Sequence, residues 1–129
     1  MARVLALLPD LLFGSRLDGA LAPAGHELEL LADETRLRTR LADAAQPPAE
    51  VLLVDLTDAE LDGAGVLESL RAAGLLEGIA TLAFYSHVEH ATRERAQRAG
   101  FDLVVPRSRM ARELPQLAEQ LLAGGAERA

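Results

Sequence analysis

The sequence predicts a three-layer α/β fold: a (βα)5 alternation around a five-stranded parallel sheet in the order 2-1-3-4-5. Three observations predict it. The run Val51-Leu52-Leu53-Val54 leads straight into Asp55, and residues 4–8 form a similar run. Segments apolar on both alternating faces read as strands buried on both sides, which is the centre of a parallel sheet. Residues 26–31 alternate instead, with Glu27 and Glu29 outward and Leu28 and Leu30 inward, as suits a sheet edge. Between these runs lie segments at helical spacing with short connections, and right-handed crossovers place such helices on both faces. The apolar first and third strands therefore sit side by side, with the second outside them.

Taken in order, residues 4–8 are the first strand, ended by Pro9-Asp10. Leu12, Phe13, Leu17, Ala20 and Leu21 recur at helical spacing as far as Pro23 and Gly25. After the second strand, Asp33 caps a helix with Leu37 and Leu41 inward and Glu34, Arg36, Arg38 and Arg40 in solvent, stopped by Gln46-Pro47-Pro48. The strand ending at Asp55 leads through a loop to Asp62-Gly63 and a third helix carrying Val66, Leu67 and Leu70. Residues 79–85 form the fourth strand. Ser86 opens a polar helix, with Val88, Ala91, Arg95 and Ala99, ending at Gly100. Residues 103–105 are the fifth strand, followed by Pro106-Arg107-Ser108. Met110, Leu114, Leu117 and Leu121 line the last helix, which Pro115 either kinks or places near its start at Leu114. One domain is expected over residues 1–123, with 124–129 a disordered C-terminal tail.

Composition narrows the chemistry. The 129 residues carry a net charge of −7, so nonspecific binding to nucleic acid is not expected. All 13 basic residues are arginine, which removes Schiff-base chemistry and a Walker-type phosphate loop. With no cysteine there is no disulfide, thiolate nucleophile or cysteine metal site, a usage that suits a cytoplasmic protein. Pro9 and Asp10 interrupt the N-terminal apolar run, so it reads as a strand and not a signal peptide. No stretch approaches the roughly 18 apolar residues of a membrane span.

Four carboxylates are placed to gather at the carboxyl ends of the strands: Asp10, Asp55, Asp58 and Asp62. Open α/β sheets carry their sites there, and such clusters can hold Mg²⁺. At this point the chain resembles the response-regulator receiver family, which has the flavodoxin-like fold. The resemblance covers nearly the whole length. Asp55 falls on the phosphoacceptor position, Asp62-Gly63 on a frequent Asp-Gly step, Ser86, with Tyr85 as the alternative, on the Thr/Ser switch position, Ala99-Gly100 on an Ala-Gly step, and Arg107 on a lysine position. The resemblance implies a signal-transduction module without enzymatic activity of its own. It implies Asp10, Asp55 and Thr57 as the positions that would hold Mg²⁺, with Ser86 and Arg107 contacting a phosphate. It implies a histidine kinase as donor, and a protein partner or second copy on the face made by the fourth helix, fifth strand and fifth helix. The departures are equally specific. The two adjacent acids of a receiver fall here on Leu8 and Pro9, with Asp10 one place late, and the lysine is an arginine. The chain therefore reads as a stand-alone pseudo-receiver acting by protein contact, with a genuinely phosphorylatable single-domain regulator as the alternative.

Each residue also has a plainer role. Asp55 can cap a turn with Thr57, Asp10 and Asp62 can cap helices, Ser86 can be an N-cap, and Arg107 can pair with Asp55 without any phosphate. His87 and His90 are three apart but lack a third ligand. A small Mg²⁺ phosphatase is disfavoured because Asp55-Leu56-Thr57-Asp58 lacks the Asp-x-Asp spacing and follows the wrong strand. A nucleotide- or flavin-binding domain is disfavoured because Pro9-Asp10-Leu11-Leu12-Phe13-Gly14 holds one glycine and no fingerprint.

Overall fold

A computed structural model of the chain describes residues 2–58, 60–86 and 90–128, with side chains as far as residue 124. Strands and helices alternate: β1 (Arg3–Leu7), α1 (Leu11–Leu21), a 3₁₀ turn (Ala22–Ala24), β2 (Glu27–Leu31), α2 (Glu34–Ala42), β3 (Val51–Asp55), α3 (Gly63–Ala72), β4 (Ala80–Tyr85), α4 (His90–Ala99), β5 (Leu103–Pro106) and α5 (Arg107–Arg128). The strands form one parallel sheet in the order β2-β1-β3-β4-β5.

The period-2 geometry of a strand sends neighbouring side chains to opposite faces, and two cores result. Val4, Ala6, Val51, Leu53, Leu82 and Phe84 face α1 and α5, where Phe13, Leu17, Met110 and Leu114 meet them. Leu5, Leu7, Leu52, Val54 and Ala83 face the other way, onto Leu37 of α2, Leu67 and Leu70 of α3 and Ala96 of α4. By the same alternation Asp55 follows Val51 and Leu53. It thus emerges on the α1/α5 side, level with Phe84 of β4.

Two close approaches need glycine. A Cβ on Gly63 would lie 2.7 Å from the side chains of Val54 and Leu56, so α3 can start against the end of β3 only without one. Gly100 has φ 101, the left-handed conformation that turns the chain from α4 into β5.

Three side chains, and the start of the last helix, depart from the pattern read in the sequence. Leu12 is 87% exposed, because capping by Asp10 sets the phase of α1 so that Phe13, Leu17 and Leu21 turn inward. Arg40 is only 8% exposed: it pairs with Glu29 on β2 at 3.1 Å and donates to the Pro47 carbonyl at 2.6 Å. Ala91 is exposed, and α4 buries Ala96 alongside Ala99. The last helix begins at Arg107 and not near Leu114, and it continues through Pro115. Its backbone stays helical to Arg128, inside the stretch 124–129. Among the described residues no helix is long and apolar enough to cross a membrane.

Candidate functional site

The carboxyl ends of β1, β3, β4 and β5 bring Asp10, Asp55, Thr57, Ser86 and Arg107 to one end of the sheet. Asp55 closes β3 and is 3% exposed. Its Oδ1 accepts from the Thr57 amide at 2.7 Å and from the Thr57 hydroxyl at 2.6 Å. A buried carboxylate requires donors, and here both come from the chain two residues on. Oδ2 accepts no hydrogen bond from the described residues.

Asp10 is the N-cap of α1. Its Oδ1 accepts from the amides of Leu12 at 3.0 Å and Phe13 at 3.1 Å. Its Oδ2 accepts from Arg107 Nη2 at 3.3 Å. The Phe13 amide, and then the Arg107 guanidinium, hold the Asp10 carboxyl below its ordinary value of 3.8. Arg107 is also fixed from beneath. Its guanidinium lies 4.0 Å from the centre of the Phe13 ring, which tilts against Phe84 at 5.3 Å. An aromatic column thus rises from the core and ends in a cation. The partner of Arg107 is Asp10, and not the Asp55 that sequence spacing suggested. Asp10 caps α1 and Arg107 opens α5, two helices that pack together, whereas Asp55 is turned into its own loop.

The four carboxylates do not gather. Each accepts from nearby backbone: Asp58 from the Glu60 amide at 2.9 Å and Asp62 from the Gly65 amide at 3.3 Å as the N-cap of α3. Asp62 adopts φ 45 to do so, a left-handed value that aspartate tolerates. Among the described residues no three His, Asp or Glu side chains converge on a common point. Magnesium takes several hard oxygens in octahedral array. The positions to which the resemblance assigns two acids hold Leu8, which is buried, and Pro9. His90 opens α4, while His87 lies outside the described residues.

Thr57, Ser86 and Arg107 do line one cavity of about 600 Å³, walled also by Phe13 and Pro106. Arg16 of α1 and Arg112 of α5 complete it, and the sequence reading missed both of these and Phe13. The available signal was spacing: Arg16 lies three residues after Phe13, and Arg112 four after Ser108, which puts each pair on one helix face.

No protein-family model matches the chain, and no curated protein matches it in sequence. Solved structures do match. A CheY-like response regulator receiver domain protein from Methanospirillum hungatei superposes with a TM-score of 0.82 at 17% identity, covering 100% of this chain and 99% of that one. A putative response regulator from Chloroflexus aurantiacus gives 0.82 at 17%, over 95% and 98%. NtrX from Brucella abortus, solved with ADP, gives 0.82 at 20%, covering 98% of this chain, which spans only 27% of that protein. The fold is that of response-regulator receiver domains.

Proposed function

We propose that the chain is a receiver-like signal-transduction module that works by protein–protein contact, with Asp55 at a phosphoacceptor position whose metal and phosphate machinery is incomplete. The observation that carries this reading is the pairing of Arg107 with Asp10, over Phe13 and away from Asp55. In a switching receiver the cation at this position answers a phosphoryl group on the aspartate. Here it already has a carboxylate and an aromatic face. Leu8 and Pro9, at the positions of the acids, support the same conclusion. The module spans residues 1–123. Its contact surface is the α4–β5–α5 face, used by a protein partner or a second copy, and no catalysis is assigned to it.

A phosphorylatable regulator, with a histidine kinase as donor, is favoured by one observation: Thr57, Ser86 and Arg107 share a cavity. In that version a charge of about −2 on Asp55 would draw Ser86 and Arg107 inward and reshape the contact face. Amide spectra with and without Mg²⁺ and beryllofluoride, a phosphoryl mimic, separate the two. The contact module leaves the α4, β5 and α5 signals in place. A second, shifted set of signals on those elements would overturn it in favour of the switch.

A further inference from the structure

The cavity beside Asp55 is cationic, in a chain whose net charge is −7. Of the described residues that line it, three are arginines, Arg16, Arg107 and Arg112, and none is acidic. Their partners are unequal. Arg107 is held by Asp10. Arg112 has only a 3.7 Å approach to Glu113, with its own side chain 71% exposed. Arg16 has no ion pair among the described residues. Guanidinium groups sharing one volume repel each other, and that repulsion falls when an anion sits between them.

The remaining lining is suited to the same ligand. The Ser86 and Ser108 hydroxyls border the cavity and are bonded to no described residue, so both are free to donate. Pro106 and Ala111 give it an apolar wall. Guanidinium forks match the oxygens of a phosphate in pairs, and such charge-assisted bonds are stronger than neutral ones. The volume of about 600 Å³ is within the usual range for small-molecule sites, and admits an organic group beside the anion.

We propose that this cavity binds, noncovalently, a doubly charged phosphate, free or carried on a small molecule, between Arg16 and Arg112, with the Asp10-paired Arg107 at its edge. The site needs neither transfer to Asp55 nor magnesium, since its donors are the arginines and serines of the lining, of which Asp55 is not one. The inference rests on the reading of Asp55 as a phosphoacceptor position with incomplete machinery, yet it can fail separately. The anion reaches it through Arg16 and Arg112, which the receiver resemblance does not include.

The test is calorimetric titration of the whole chain with inorganic phosphate and with phenyl phosphate, in a chelator that removes divalent cations. Saturable binding is expected, kept in Asp55→Asn and weakened about tenfold or more in Arg16→Gln and in Arg112→Gln. Arg109→Gln, on the same helix but outside the cavity lining, leaves the affinity unchanged. Both test positions are exposed, so folding is not at stake, and circular dichroism verifies it. Tighter binding of phenyl phosphate assigns the site to a phosphate ester, and equal binding assigns it to the free anion. Absence of saturable binding, or binding indifferent to Arg16 and Arg112, overturns the inference and leaves the contact module standing. Covalent transfer to Asp55 is read separately, by mass, and counts against the contact module instead.

Discussion

Asp10 and Asp55 show how two carboxylates at one end of a sheet come to differ. Asp10 faces water, two amides and a guanidinium, and its carboxyl is held below 3.8. A group depressed in the folded state stabilises the fold above its unfolded value, and that contribution disappears as pH falls through the folded one. Asp10→Asn keeps a capping oxygen but loses the charge. It should therefore be less stable than the parent at pH 7, and the two urea melts should converge below pH 3.8; a gap that persists in acid would contradict this. Asp55 is buried, and its charge is answered by Thr57. Thr57→Val removes the hydroxyl donor from a buried acceptor and should cost about 1–2 kcal/mol in chemical denaturation. An unchanged midpoint would mean that the loop re-forms around water. These pairings were not legible in the sequence. Spacing placed Asp10, Asp55 and Arg107 at one end of the sheet, but which head meets which depends on loop backbone and on the Phe13 platform. Periodicity does not encode either.

At the level of elements the legibility is uneven, for physical reasons. β1, β3 and β4 are continuous apolar runs because both their faces are covered, so their sequences declare them. The helices declare themselves less well. In α2, Arg40 lies three residues after the inward Leu37 and shares its face, yet its charge argued for solvent; Glu29 on the edge strand is what allows it to be buried. In α1, the phase set by the Asp10 cap turns Leu12 outward and keeps Phe13 inward, where it supports Arg107. Pro115 argued for a boundary, but the apolar stripe of Met110, Leu114, Leu117 and Leu121 carries α5 through it. A proline inside a helix forgoes one backbone bond and crowds the preceding turn. Pro115→Ala should therefore raise stability by about 1–3 kcal/mol without altering the fold. A loss of stability would mean that the helix bends at Pro115 to meet the sheet.

Over the whole molecule, the sheet divides the interior into two cores that share β1, β3 and β4. Leu53 faces the α1/α5 layer and is buried from every side. Leu53→Ala should cost about 2–5 kcal/mol and lower a single cooperative transition. The same layer carries Phe13 and Phe84 upward to Arg107, so packing and site are continuous there. The receiver fold is thus kept, with Asp55 at the end of β3, while Arg107 is paired with Asp10 and Thr57 with Asp55. Phosphoryl occupancy of Asp55 tests this most directly. After incubation with acetyl phosphate and Mg²⁺, the intact mass of the chain should remain that of the unmodified protein. A phosphoryl adduct on the parent chain that is absent from Asp55→Asn would contradict the account.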